Sequence, residues 1–281
     1  MGSSASSEAK QKIEKASVAD IQASLKELSA EDITKVKAAL EAMPPKKDEA
    51  PDLWGFKSKL PDCCAASPNN YKVMAELPGM SARIVEMTIA PGEEDMPHDH
   101  PGHSMYFVQG GKLTITDFDE QGKSKDNAHE VEIPTGAPPI FPPGAHQVKN
   151  TGDTTVKVLF VETTLLCQPC AKIDEEFISP FKVAPQCYQV LSENEEWITG
   201  MMTMDVGASD PVHHHKDHLI YVLEGDEITI YPGGDESAPM VVPLHPNTGI
   251  PAPQSAPPFG KHFLKNSGKL PIKMLFFERK M

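Results

Sequence analysis

His98-Asp99-His100-Pro101-Gly102-His103 returns in the second half of the chain as His213-His214-His215-Lys216-Asp217-His218. Each stretch is followed by a second matched segment, Pro142-Pro143-Gly144-Ala145-His146-Gln147-Val148-Lys149-Asn150 and Pro258-Phe259-Gly260-Lys261-His262-Phe263-Leu264-Lys265-Asn266. Both halves obey H-x-H-x-x-H followed by P-x-G-x-H-x-x-x-N, so eight of the eleven histidines stand at matched positions. On an extended strand residues i and i+2 face the same way, so His98 and His100 can grip one ion from one strand. A short turn brings back His103, and His146 arrives from a distant strand, as in a closed barrel.

The repeat extends outward from the histidines. Tyr71-Lys72-Val73-Met74-Ala75-Glu76 returns as Tyr188-Gln189-Val190-Leu191-Ser192-Glu193, an offset of 117 residues, and Lys149-Asn150-Thr151-Gly152 returns as Lys265-Asn266-Ser267-Gly268, an offset of 116. Val156-Lys157-Val158-Leu159-Phe160-Val161-Glu162 likewise matches Ile272-Lys273-Met274-Leu275-Phe276-Phe277-Glu278. A copy that agrees at its start and finish is one structural unit, and each copy is read as a domain. From residue 71 onward, short β-branched and apolar runs alternate with turn residues, and the 27 prolines and 19 glycines of the 281-residue chain fit an all-β design.

With these motifs the chain resembles the cupin superfamily, as a tandem bicupin. The family's first motif runs roughly G-x5-H-x-H-x3–4-E-x6-G and its second G-x5-P-x-G-x2-H-x3-N. The resemblance covers both copies from about residue 71 to the end. It implies two double-stranded β-helix (jelly-roll) barrels, each holding one divalent transition metal. Two departures recur in both halves: histidine, as His103 and His218, stands where the family has glutamate, and the gaps before this position and before the last histidine are one residue short. The expected ligands are therefore His98, His100, His103 and His146 in one copy and His213, His215, His218 and His262 in the other, with His103 and His218 either ligating or standing just behind. Four neutral imidazoles leave the ion its full charge, which favours an anionic ligand. His214 is expected to face out of its barrel, and His129 and His245 have no place in the pattern.

Bicupins span dioxygenases, decarboxylases, isomerases, lyases and storage proteins, and fold alone does not choose among them. The leading expectation is a dioxygenase with an all-histidine iron site acting on a small enolate, phenolic or carboxylate substrate. The alternatives are non-redox lyase, cyclase or hydratase chemistry on zinc, manganese or nickel, and metal binding without catalysis; copper also suits imidazoles. No separate acid or base is evident. Met105 and Phe107, with Ile220 and Val222, alternate with the third histidines and predict greasy pockets in which only imidazoles are polar. Arg83 and Arg279 are the only arginines, and Arg83 is the one candidate for gripping an anion. Metal affinity is expected to fall below about pH 6.5, where unperturbed imidazole protonates.

A net charge of −14 argues against nucleic-acid binding, which needs clustered Lys and Arg. The five cysteines and the absence of an apolar leader predict a cytoplasmic protein. Cys167-Gln168-Pro169-Cys170 matches C-x-x-C but lacks a second pair to complete a zinc site and reads as an incidental linker pair. Met1-Gly2-Ser3-Ser4-Ala5-Ser6 fits an acylation pattern at Gly2, weighed against a Ser-rich disordered tail, and one acyl chain would hold a membrane only weakly. Ser17 and Ser29 cap two amphipathic helices, Ile21/Leu25/Leu28 and Ile33/Val36/Leu40, that end at Pro44-Pro45. The expected order is a disordered tail at 1–16, a helical hairpin and linker at 17–52, an N-terminal barrel at 53–170 and a C-terminal barrel at 171–281, with a homodimer left open.

Overall fold

The computed structural model describes residues 54–77, 82–164, 177–252 and 260–280. The expected helical hairpin, the Gly2 tail, Cys167 and Cys170, and Pro258 and Phe259 lie outside them. Among the described residues, no helix is long and apolar enough to cross a membrane.

The architecture is all-β, in two successive units. The first runs α1 (Cys63–Ala66), β1 (Tyr71–Glu76), β2 (Ala82–Ile89), β3 (His98–His100), β4 (His103–Gln109), β5 (Gly111–Asp117), β6 (His129–Ile133), β7 (Ile140–Phe141), β8 (Gly144–Asn150) and β9 (Val156–Thr163). The second runs α2 (Pro180–Val183), β10 (Tyr188–Glu193), β11 (Trp197–Met204), β12 (His218–Glu224), β13 (Glu227–Pro232), β14 (Met240–Pro243), β15 (Thr248–Ala252), β16 (His262–Lys265) and β17 (Ile272–Arg279). The sheet order β1-β2-β9-β4-β7 is repeated as β10-β11-β17-β12-β15, and β3-β8-β5-β6 opposes the first as β14-β13-β16 opposes the second. The copies share even their irregularities. Register slips between Val73 and Ala75 and between Val190 and Ser192, and again between Phe107 and Gln109 and between Val222 and Glu224. A bulge bends its strand, so matched bulges give the two barrels the same curvature.

β9 and β17 are the strands on which the architecture turns. Val158 and Phe160 face the interior of the first barrel, while Leu159 and Val161 face a second apolar cluster that also contains Tyr221, Leu275 and Phe277. Met274 and Phe276 face the second barrel's interior. Both strands are thus buried on both faces, which explains why they read as near-continuous apolar runs rather than as alternating ones. The two barrels pack sheet against sheet through this shared cluster. At its edge, the Tyr221 hydroxyl donates to Glu86 Oε2 at 2.5 Å, and Lys157 Nζ reaches Glu86 Oε2 at 3.0 Å and Asn247 Oδ1 at 2.8 Å.

Gly249 on β15 lies where the barrels come closest, and a methyl group there would sit 2.6 Å from the Met74 carbonyl oxygen on β1. Backbone cannot yield as a flexible side chain can. Gly249→Ala is therefore expected to destabilise the chain by about 1–3 kcal/mol, read as a lowered midpoint in urea unfolding; an unchanged midpoint would show that the barrels do not meet there.

Candidate metal centres

The barrel places the predicted histidines through its register. His98 on β3 stands opposite His146 on β8, and His213 bridges His262 in the same way, although the second copy forms only an isolated bridge where the first forms a strand. In each barrel three imidazoles converge, His98, His100 and His146 in the first and His213, His215 and His262 in the second, with their ligand atoms within 4.8 Å of one another. His103 and His218 lie beside these triads, their rings 4.9 Å from His100 and 4.5 Å from His215. His218 also converges with His215 and Glu278, their ligand atoms lying within 4.8 Å of one another.

What aims seven of these eight rings is a hydrogen bond at Nδ1. Nδ1 of His98, His103, His213, His218 and His262 donates to the carbonyl oxygens of Met96, Pro101, Pro211, Lys216 and Gly260 at 2.7–2.9 Å. Nδ1 of His100 donates to Glu162 Oε1 at 2.7 Å, and that of His215 to Glu278 Oε2 at 2.5 Å. A proton committed at Nδ1 leaves Nε2 as a bare lone pair. His98 and His100 then hold two such lone pairs 2.8 Å apart, and His213 and His215 hold theirs 3.1 Å apart, all on buried side chains. Facing lone pairs repel unless a cation lies between them. Two nitrogens at right angles about 2.1 Å from one ion would be roughly 3.0 Å apart, so the donor set fits a divalent transition metal.

Glu162 and Glu278 are the residues that the sequence reading passed over. They close β9 and β17, are 0% and 2% exposed, and sit behind His100 and His215. Burial pushes the carboxyl of Glu162 up, opposed by Arg83, and pushes that of Glu278 up to about 8, opposed by Lys216. Arg83 is accordingly not a cavity group. Its guanidinium pairs with Glu162 and Asp62 and stacks 4.0 Å over Trp54, which places it behind His100. Asp62 in turn accepts from Cys64 N at 2.7 Å and so caps α1, linking the segment before the barrel to the histidine cluster.

A second pair was also missed. The Tyr71 hydroxyl donates to Asp95 Oδ2 at 2.6 Å and lies 3.3 Å from His98 Nε2; Tyr188 repeats this with Asp210 at 3.0 Å and His213 at 3.5 Å. Asp95 and Asp210 also accept from Val148 N and Leu264 N. Burial pushes Asp95 up to about 7 and Asp210 up to about 6, each opposed by these hydrogen bonds. The expectation that only imidazoles would be polar near the ion is corrected by this hydroxyl.

A cavity of about 600 Å³ opens onto the first cluster. Its wall is apolar as expected, with Met105, Phe107 and Phe160, but Lys57, Asp117, Lys125 and the previously unassigned His129 also line it. His214 is buried, its backbone N donating to Ile178 O at 2.8 Å and its Nδ1 accepting from Ile178 N at 3.4 Å. Asp99, its counterpart, accepts from Lys57 N and Ser58 N, so the residue between the paired histidines anchors the chain segment that leads into each barrel. His245 is exposed.

The family described as Cupin domain matches residues 85–162, most of the first barrel. No curated protein gives a significant match. Solved structures of similar fold include a Cupin 2 conserved barrel domain protein from Leptotrichia buccalis, 17% identical over 75% of this chain and 88% of that one with a TM-score of 0.40. AerE from Microcystis aeruginosa is 13% identical over 75% of this chain and 93% of its own, with a TM-score of 0.45. A variant oxalate decarboxylase from Bacillus subtilis is 14% identical over 85% and 80%, with a TM-score of 0.47. The family match thus lies within the first barrel, and the second barrel repeats its sheet order.

Removing the Glu162 carboxylate while keeping its shape, in Glu162→Gln, is expected to weaken metal binding in the first barrel about 10–100-fold, measured by competition with a chromophoric chelator. Unchanged affinity would mean that Glu162 does not orient His100. For the metal-free chain, burial lowers all eight site imidazoles, to about 4 for His213 and about 3 for His218 and His262. A lowered histidine contributes its stability in full above its unfolded value of about 6.5 and loses it as pH falls towards the folded value. The four raised carboxyls, Asp95, Glu162, Asp210 and Glu278, act in the opposite direction but are fewer. The thermal midpoint is therefore expected to fall between pH 6.5 and 4.5, and a rise would contradict burial of neutral imidazoles. The same burial moves proton competition for a bound metal below the pH 6.5 expected from sequence.

Proposed function

We propose that the chain is a metal-dependent bicupin oxidoreductase, a dioxygenase that adds both atoms of O₂ to a small enolate, phenolic or carboxylate substrate, with one divalent transition metal per barrel. The carrying observation is a triad of converging imidazoles in each barrel, the first opening onto a cavity walled in part by Met105, Phe107 and Phe160. His98, His100 and His146 would hold the metal in the first barrel and His213, His215 and His262 in the second, with His103 and His218 beside them. A ferrous ion held there would supply one-electron chemistry between an anionic substrate and oxygen, and neutral imidazole ligands would leave it the charge to attract that anion. Met105, Phe107 and Phe160 exclude water from the substrate's apolar body. Glu162, with Arg83 behind it, holds His100 in one orientation.

A second reading, lyase, cyclase or hydratase chemistry on zinc, manganese or nickel, is favoured by one observation: Tyr71 is among the residues lining the cavity, and its hydroxyl, bonded to Asp95, lies 3.3 Å from His98 Nε2, so a proton carrier stands beside the histidines. An oxygen electrode separates the two. Chain loaded anaerobically with Fe(II) is expected to consume oxygen on addition of a 1,3-diketone or a phenolic acid, and His100→Ala is expected to reduce the rate at least 100-fold. Tight zinc with no oxygen uptake on any such compound would reject the dioxygenase, and turnover without oxygen would select the second reading.

A further inference from the structure

We propose that Cys63 and Cys64 form an oxidisable dithiol, a site that reacts with peroxide and, by closing to a disulfide, loosens the first metal centre. The coupling rests on the reading of His98, His100 and His146 as that centre. Both cysteines are free, with their Sγ atoms 3.8 Å apart in the first turn of α1. Cys63 is 0% exposed and packs into the first barrel's core, its Sγ within 4.8 Å of ligand atoms of His100 and Glu162, whereas Cys64 is partly exposed.

The duplication shows that the helix does not need these thiols. At the offset of 117 residues that relates Tyr71 to Tyr188, Cys63 and Cys64 correspond to Pro180 and Phe181, and α2 begins at Pro180 as α1 begins at Cys63. The same turn is thus built from residues with no redox chemistry. Asp62 corresponds to Ser179, which makes no side-chain cap, and Arg83, opposite Glu162 on β9, corresponds by register to Ile198, opposite Glu278 on β17. Among the described residues, only the first barrel carries this set of thiols, carboxylate and guanidinium.

These groups are joined in one line. Asp62 Oδ1 accepts from Cys64 N at 2.7 Å, and Asp62 also pairs with Arg83, which donates to Glu162 Oε2 at 2.8 Å; Glu162 Oε1 in turn accepts from His100 Nδ1 at 2.7 Å. The first link is the peptide between the two cysteines. A disulfide holds its sulfurs about 2.05 Å apart. On adjacent residues that closure requires the intervening peptide to turn, and turning it takes the Cys64 N–H away from Asp62. The helix is only four residues long, held by bonds from Ala66 N to Asp62 O and from Ser67 N to Cys63 O, so little structure opposes the change.

Oxidation runs in two steps. The sulfur of Cys64, the one solvent reaches, takes one oxygen from hydrogen peroxide as the O–O bond breaks, and the other oxygen leaves as water. The sulfur of Cys63 then attacks the Cys64 sulfenic acid, the S–O bond breaks, and that oxygen leaves with the Cys63 proton as a second water. Two electrons pass from the dithiol to one peroxide. Burial pushes the Cys63 thiol up, which gives it the second step rather than the first.

The test treats the zinc-loaded full chain with hydrogen peroxide, removes the excess and reads two quantities. After exposure to iodoacetamide and tryptic digestion, the peptide 60–72, which holds Cys63 and Cys64 and no other cysteine, is expected to be unalkylated and two hydrogens lighter than its dithiol form. Competition with a chromophoric chelator is expected to show one of the two zinc ions bound about tenfold more weakly, the other unchanged, and dithiothreitol restoring the first. Cys64→Ser is expected to keep both ions and to show no effect of peroxide on either, while Cys63→Ser stops at a Cys64 sulfenic acid that dimedone traps. A peptide 60–72 still fully alkylated after treatment, or a disulfide there that leaves zinc affinity unchanged, would overturn the proposal. A chain that binds no zinc before treatment refutes the metal reading and the coupling with it, and the peptide mass then decides the dithiol by itself.

Discussion

The protein's architecture serves one local requirement: a buried imidazole must donate at Nδ1 for its Nε2 to be a ligand. Seven of the eight histidines in question have a defined acceptor there, five of them a backbone carbonyl two residues earlier in the chain and two of them a buried glutamate. The carbonyl acceptors are supplied by the tight local path of the chain around each histidine. The glutamates are supplied from the far side of the barrel, and so the barrel must close for the clusters to form. Buried lone pairs facing each other at 2.8 and 3.1 Å are costly to assemble, which makes these clusters a demand that the rest of the fold meets.

β9 and β17 meet that demand and also join the two halves. Each carries, one residue before its end, the glutamate that aims a histidine, places a phenylalanine against the same cluster two residues earlier, and on its other face builds the contact between barrels. Phe160 lies 5.2 Å from His100, and Phe276 lies 5.4 Å from His215. The core that holds the halves together and the core that holds the ligands in place thus share a backbone. Arg83 extends the arrangement outward, tying Glu162 to Asp62 and through it to the helix that enters the first barrel.

Much of this was legible in the residues. The H-x-H-x-x-H and P-x-G-x-H spacings singled out eight histidines, which the structure gathers as two triads with one further ring beside each, and the sequence repeat is matched by a repeated sheet order. The orienting residues were harder to see. Glu162 and Glu278, Tyr71 and Tyr188, and Asp95 and Asp210 each stand at matched positions, but a glutamate at a strand end or an aspartate in a turn is ordinary on a surface. Only the closed barrel shows that these lie inside. Arg83 was misplaced for the same reason: its partners are 21 and 79 residues away.

The proposed function requires one metal ion in each barrel. Elemental analysis of the chain purified without chelator, alongside His100→Ala, His215→Ala and the double variant, tests it directly. Two ions per chain, one in each single variant and none in the double variant is the predicted result. Metal that persists in the double variant, or its absence from a folded wild-type chain supplied with iron, zinc, manganese, nickel and copper, would contradict it.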